Sequence, residues 1–230
     1  MKNLLIIIAS CLIMLSCGPA SSSGITGWDY HQLNGTPSKS TIETFRCSKK
    51  NGQWEKGKEM LGVNKTEVKF DQKGNVEFER SHDKDVMLFE TSYFYKEGIV
   101  EKSVVFDGLT NKKIFEYIYE SAPNFGLISS QAHDLPKKQP HEKATFEWDG
   151  NRLQKKGVED VLRQEYFVFK FEYDKNGNTI KESKGTLASE GISRNYEILE
   201  TDKNKNWTKR VAVNNSTPDR GLMEIRNITY

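Results

Sequence analysis

The sequence predicts an all-β protein built on one extended, rolled antiparallel β-sheet, formed as a meander of successive hairpins. Aromatic and β-branched residues alternate with polar ones over many short segments. Turn residues separate these segments roughly every 8–14 residues, and no segment has the pattern of an amphipathic helix. Parallel strands need crossovers of about a dozen residues or more, and most connections here are shorter, so the strands should be antiparallel.

The chain begins with an export signal. Lys2 precedes an apolar run, Leu4–Leu15, which has the length of a signal-peptide core and falls short of the roughly 20 residues of a membrane-spanning helix. The run ends in Leu-Ser-Cys-Gly, which resembles a bacterial lipobox and implies cleavage before Cys17 and lipidation of its thiol. Cleavage before Cys11 would leave too short an apolar run. Residues 1–16 are therefore predicted to be a lipoprotein signal peptide.

The mature chain is nearly neutral. Without Lys2 it has 33 basic and 32 acidic side chains, so nucleic acid is not an expected partner. Residues 17–27 are rich in Gly and Ser and are predicted to form a flexible tether. After lipidation of Cys17, Cys47 has no partner for a disulfide, and we expect it to be a buried apolar residue.

A recurring phrase predicts the hairpins. Residues 171–183 read FEYDKNGNTIKES, in which Asn176-Gly177 supplies the tight turn and Asp174 can accept hydrogen bonds from turn amides. In chain order, the other predicted strands and turns are 68–70 and 76–78 around Asp71–Asn75, 86–95 and 99–106 around Gly98, 113–119, 144–148 before Asp149–Asn151, 166–173 and 179–187, 198–202 and 207–213 around Lys203–Asn206, and 223–230.

These phrases resemble the YD (RHS-type) repeat. The matching segments are Phe70–Asn75 and Tyr173–Asn178, with Trp148–Asn151 as a shortened version. The whole chain also resembles the small YD-like lipoproteins of Bacteroidetes-type bacteria. The resemblance implies repeated β-hairpins in a long, rolled sheet, and it implies no catalytic residues. Such hairpins bury their aromatic face when the sheet curls into an open half-barrel or folds into two packed layers.

A polar segment interrupts the pattern. Residues 129–143 contain two prolines and show no alternation, which predicts a long loop. We therefore expect a single β-repeat domain over residues 28–230, with an alternative division into halves 28–128 and 144–230.

Candidate sites are few. Trp54, Trp148 and Trp207 lie near turns and form a candidate ligand platform, although aromatic residues at strand ends also cap cores. The spacing of His133-Asp134 and His141-Glu142 matches no compact metal motif. No nucleophile elbow, P-loop or dinucleotide fingerprint is found, so we expect no catalytic residues, no cofactor and no metal.

These observations lead to a functional hypothesis. We expect a non-enzymatic, lipid-anchored protein of the bacterial cell envelope that binds or scaffolds a partner protein or a glycan. The alternatives are a periplasmic carrier of a lipid or other apolar ligand in a half-barrel, and a glycan-processing enzyme. We expect the lipid on Cys17 to attach the protein to the membrane. The residues after it lack an acidic cluster, which favours the periplasmic face of the outer membrane.

Overall fold

The computed structural model describes residues 25–122, 126–186, 189 and 191–230. The predicted signal peptide, Cys17 and residues 18–24 of the predicted tether lie outside this part of the chain. The elements are α1 (Gly27–Tyr30), β1 (Lys39–Lys50), β2 (Gln53–Glu59), β3 (Lys65–Phe70), β4 (Val76–Asp83), β5 (Val86–Lys96), β6 (Ile99–Asp107), β7 (Lys113–Ala122), β8 (Gly126–Asp134), β9 (Gln139–Asp149), β10 (Arg152–Asp160), β11 (Glu165–Tyr173), β12 (Thr179–Gly185), β13 (Ile192–Thr201), β14 (Trp207–Asn214) and β15 (Thr217–Thr229). No helix in the described ranges is long and apolar enough to cross a bilayer.

The sheet closes into a barrel through β1. Strands β3 to β15 follow one another in antiparallel order, and β1 pairs with β3 on one side and with β15 on the other. Fourteen strands form the wall of the described barrel, and β2 lies beside the second half of β1. The predicted antiparallel all-β class is confirmed. The expected open half-barrel and two-layer forms are wrong, because pairing β1 with β15 removes the free edges that an open sheet would leave.

The predicted loop at residues 129–143 is also wrong. Most of it belongs to β8 and β9, which pair from Ser129–Thr145 to Asp134–Gln139, and only residues 135–138 form a turn. Its inward residues are small, so the aromatic alternation that marks the other strands is missing. Pro140 lies at an irregularity of the ladder, where its missing amide hydrogen is tolerated. The two halves of the chain are therefore parts of one continuous sheet.

The recurring phrase forms hairpin turns at one end of the barrel, as predicted. In three copies of the phrase, one side-chain oxygen of the aspartate accepts hydrogen bonds from the backbone amides two and four residues later. The two distances are 2.8 and 2.9 Å for Asp71 and for Asp174, and both are 2.9 Å for Asp202. The fourth residue is left-handed, with φ of +86°, +88° and +65° at Gly74, Gly177 and Lys205. Burial opposes ionisation of Asp174, but hydrogen bonds from Asn178 and Asn176 outweigh it and lower its pKa.

Side chains alternate between the lumen and the outer wall. On the outer wall, lysine or arginine pairs with glutamate on the adjacent strand: Arg80–Glu90 at 2.7 Å, Lys155–Glu147 at 2.6 Å, Lys181–Glu172 at 2.7 Å and Lys209–Glu200 at 3.1 Å. Exposed pairs of this kind contribute about 0–1 kcal/mol each. Their main consequence is that the wall is highly charged.

One small apolar cluster lies on the outer wall beside β2. Phe45, Cys47, Val211 and Met223 are buried there. Cys47 is 7 % exposed and burial raises the pKa of its thiol. The expected role of Cys47 as a buried apolar residue is confirmed.

Residues 25–38, the plug segment, lie across the end of the barrel that carries the phrase turns. Thr26 caps α1, and the backbone amide of Gly27 donates to the carbonyl oxygen of Gly74 at 2.8 Å. These two residues were predicted to belong to the flexible tether and are instead part of the folded body. Leu33 packs against the lumen side chains of Val68 and Phe70, and burying a leucine of this kind contributes roughly 1.5–3 kcal/mol.

Polar contacts attach the plug segment to the far side of the barrel. The amide of Asn34 donates to Oδ1 of Asn206 at 2.6 Å, and Nδ2 of Asn206 donates back to the carbonyl oxygen of Asn34 at 3.0 Å. Arg226 of β15 donates from Nη2 to the carbonyl oxygen of His31 at 2.9 Å. The plug segment therefore contacts both sides of the barrel and closes much of this end.

Candidate functional site: an aromatic cavity beneath the plug segment

A cavity of about 370 Å³ lies in the lumen beneath the plug segment. Ile25, Thr26, Gly27 and Tyr30 form its cover, and inward residues of β4 to β10 form its walls. Ile99 also lines it and is 39 % exposed. The cavity therefore reaches solvent beside the β5–β6 turn.

Several aromatic rings line the cavity. Tyr117 and Tyr119, two residues apart on β7, lie with ring centroids 6.4 Å apart and planes inclined by 14°. Tyr30 of the plug segment faces Trp148 of β9 at 6.5 Å. Tyr93 of β5 also lines the space. These separations lie within the roughly 4.5–7 Å range of favourable ring contacts, so rings of the wall and the cover pack against one another.

Hydrogen bonds hold two of these rings in place. The hydroxyls of Tyr119 and Ser103 lie 2.8 Å apart. Nε1 of Trp148 donates to the carbonyl oxygen of Leu127 at 2.9 Å. The polar groups of these two rings are therefore engaged at the wall.

Two carboxylates line the same cavity, Glu79 of β4 and Glu142 of β9. Burial raises the pKa of Glu79, against a hydrogen bond from Tyr93 that lowers it. Burial raises the pKa of Tyr119 to about 12; the hydrogen bond with Ser103 opposes this rise, and both glutamates add to it. The phenols are therefore neutral near pH 7, and the two carboxylates act electrostatically on the same ring.

The three predicted platform tryptophans are not brought together. Trp54 lies on the outer wall, where its Nε1 donates to Oε2 of Glu197 at 2.8 Å and it packs on the outer apolar cluster. Trp148 lines the cavity. Trp207 is 1 % exposed and occupies a third place, described next. Only Trp148 is in a position to contact a ligand in the cavity.

Trp207 lies between arginines in the lumen. The guanidinium carbons of Arg210 and Arg226 are 4.0 and 4.2 Å from its ring centroid. Burial and the charge of Arg210 together lower the pKa of Arg226 to about 9. Burial and the charge of Arg226 together lower the pKa of His31 to about 3, so His31 is neutral near pH 7. This cluster fixes the plug segment to β15.

The described residues contain no group of three or more His, Cys, Asp or Glu side chains arranged to hold a metal ion. His141 stacks on Phe115 with a centroid distance of 4.9 Å. Glu142, its neighbour in the sequence, points instead into the cavity. The two residues of this dipeptide therefore have different surroundings.

Sequence reasoning missed most of the cavity residues. Tyr117 and Tyr119 fell within the predicted strand 113–119, and Glu142 fell within the predicted loop 129–143. The sequence gives no indication that Tyr30 and Glu79 line a cavity. The residues around them in α1 and β4 do not show that the two side chains face a common space. Glu79 stands between Phe78 and Arg80, and nothing in this local pattern marks it as a cavity residue.

Comparison with known proteins supports the fold. No protein-family profile and no curated protein matches this sequence. A porin-like protein from Bacteroides uniformis has a similar structure, with a TM-score of 0.50 and 9 % identity over 85 % of this chain and 98 % of that one. A porin-like protein from Bacteroides vulgatus gives a TM-score of 0.44 and 9 % identity over 82 % and 98 %. At this identity the first likeness shows the shared β-barrel fold alone.

Proposed function

We propose that this protein is a non-enzymatic binding protein of the bacterial cell envelope, a lipid-anchored β-barrel that holds a small ligand beneath its plug segment. The observation that carries the proposal is the cavity, which combines aromatic walls with a few converging polar groups, the usual composition of a small-molecule site. The resemblance to YD-like lipoproteins supports the envelope location and belongs to the same proposal.

The size of the cavity favours a compact ligand. Its volume of about 370 Å³ lies near the lower end of the roughly 300–1,000 Å³ typical of ligand pockets. A lipid with two acyl chains would need much more space. A small ligand therefore fits the cavity better than a membrane lipid.

The outer wall supports a barrel surrounded by water. A barrel embedded in a bilayer presents an apolar band about 25 Å tall, and a lysine at the midplane costs about 2–4 kcal/mol. Here Lys102–Glu116, Lys143–Glu159 and Lys155–Glu147 lie on the outer faces of consecutive or neighbouring strands. Attachment through an N-terminal lipid is compatible with this charged wall.

The position of the N-terminal segment supports one orientation of the barrel relative to the membrane. Ile25 is at the plugged end of the barrel, and the roughly eight residues from Cys17 can span at most about 29 Å. An anchor on Cys17 would therefore hold the plugged end, and the cavity, toward the membrane.

Ligand binding is tested with a neutral aromatic probe, N-phenyl-1-naphthylamine, whose fluorescence rises in an apolar site. Thr91 lines the cavity, and Thr91→Trp should weaken probe binding at least roughly tenfold by filling the space. Thr145 lies on the outer face of β9 between inward Ala144 and Phe146, so Thr145→Trp is the matched control. Equal binding by all three proteins would contradict the proposal.

Anchoring is tested by palmitate labelling in a bacterial host. Wild type and Cys47→Ala should incorporate label, whereas Cys17→Ala should not and should be extracted without detergent. Equal label in wild type and Cys17→Ala would refute the anchor. A Cys17→Ala protein that still needs detergent would refute the water-facing wall.

A further inference from the structure

The two cavity carboxylates act on one shared space. Burial raises the pKa of Tyr30, a residue of the cover, and both Glu79 and Glu142 raise it further. The same two glutamates act on Tyr119 from the opposite wall. Tyr30 belongs to the cover and Tyr119 to the wall, and Glu79 and Glu142 line the same cavity.

The cavity has an excess of negative charge. Its charged lining residues are Glu79, Glu142 and Lys156. Among the described residues neither glutamate forms an ion pair within 4.0 Å, whereas the outer wall glutamates Glu90 and Glu147 do. Lys156 instead lies over the ring of Phe146, with Nζ 5.6 Å from its centroid. Burial disfavours the charged form of Glu79, and a cation placed in the cavity would offset that cost.

The aromatic walls favour the same kind of ligand. A ring presents a negative face, and an ammonium group within about 6 Å of several such faces is bound by cation–π attraction, most strongly where water is excluded. Tyr30, Tyr93, Tyr117, Tyr119 and Trp148 all line the cavity. Bulky alkyl groups on the nitrogen would also fill apolar space that a bare inorganic cation leaves empty.

We propose that the cavity binds an organic cation, a quaternary or alkyl-substituted ammonium compound, between the aromatic rings and the carboxylates of Glu79 and Glu142. This inference rests on the proposed function, because it names the ligand class of the same cavity.

The test compares two probes that differ in one atom. Choline and 3,3-dimethyl-1-butanol have nearly the same shape, and only choline carries the positive charge. Isothermal titration of the purified protein should show choline binding at least roughly tenfold more tightly than the neutral alcohol. Glu142→Gln should weaken choline binding roughly tenfold and leave binding of the alcohol unchanged. Glu116→Gln, on the outer face of β7, should bind both as wild type does.

The outcomes separate the two proposals. Equal affinity for both probes, or undiminished choline binding by Glu142→Gln, would overturn the cation assignment while the cavity remains a ligand site. Failure of both probes would also overturn it. The naphthylamine experiment then decides independently whether the cavity binds anything. Circular dichroism and thermal melting of each variant confirm that a loss of binding is not a loss of folding.

Discussion

The indole ring of Trp28 lies directly on Gly74, where a β-carbon would be 2.5 Å from Cε3 of the ring. Gly74 thus has two roles, since it also takes the left-handed conformation of its turn, with φ of +86°. Trp28 in turn donates from Nε1 to the carbonyl oxygen of Pro37 at 2.8 Å. The contact joins a hairpin turn to the plug segment that covers the cavity.

Gly74→Ala should therefore destabilise the protein more than the equivalent change in another copy of the phrase. Gly177 has φ of +88°, and the atoms nearest to a β-carbon there would belong to the Arg152 side chain, at 3.4 Å or more. Gly177→Ala should cost about 1–2 kcal/mol from backbone strain, and Gly74→Ala a further 1–3 kcal/mol or so from displacing Trp28. Urea unfolding measures both, and equal losses would show that the Trp28 contact is unimportant.

Asn206→Ala should loosen the plug segment. Asn206 is fully buried and exchanges two hydrogen bonds with the backbone of Asn34, besides donating to Tyr230 at 2.7 Å. Removing its amide leaves buried partners unpaired, at a cost of about 2–4 kcal/mol. The control is Asn75→Ala, because within the described part of the chain the Asn75 side chain donates to its own turn, to Asp71 at 2.9 Å; it should cost about 1 kcal/mol. Proteolysis within residues 25–38 should accelerate only in Asn206→Ala.

The buried tyrosines should make the protein sensitive to alkali. Burial raises the pKa of Tyr117, Tyr119 and Tyr196 to about 12 each. In the unfolded chain a tyrosine loses its proton near pH 10. Between these values the native state binds more protons than the unfolded state, so stability is full below about pH 10 and falls as the pH rises toward 12.

This alkaline effect is measured as the slope of unfolding free energy against pH. Tyr117→Phe should reduce the slope by close to one proton, or about 1.4 kcal/mol per pH unit. Tyr166→Phe, at a position 36 % exposed on the outer wall, is the control and should leave it unchanged. A wild-type slope near zero between pH 10 and 12 would contradict the burial of these phenols.

Glu79→Gln should stabilise the free protein near pH 7. Burial raises the pKa of Glu79 in the folded state. Over some pH range the carboxyl group of Glu79 is therefore protonated in the native state and ionised in the unfolded state. Stability is then lost as the pH rises through this range, and the loss persists above it. The carboxamide of the variant does not ionise, so this loss of stability does not occur, and its oxygen can still accept a hydrogen bond from Tyr93. The variant should melt higher than wild type at pH 7, with a difference that shrinks toward pH 4. A lower melting temperature at pH 7 would refute this account.

The hairpins could be predicted because their chemistry is local. Asp174 accepts from the backbone amides of Asn176 and Asn178 within five residues, and Gly177 supplies the one left-handed position of this turn. Where small residues replaced aromatic ones, as at Ser130 and Ala132, the same reasoning failed and a strand was taken for a loop. The alternation pattern detects large inward side chains, and β8 has few of them.

The sequence by itself determined the strand-rich class, the antiparallel hairpins and the turns that build one end of the barrel, because each depends on contacts between near neighbours. Only the tertiary structure decided that Lys39 pairs with Thr229 to close the wall, which face of each strand points inward, and that Tyr30, Glu79 and Glu142 meet in one cavity. The physical reason is that closure depends on pairing opposite ends of the chain. A local pattern of residues specifies how a strand turns and which side chains share a face, but not which distant strand completes the sheet.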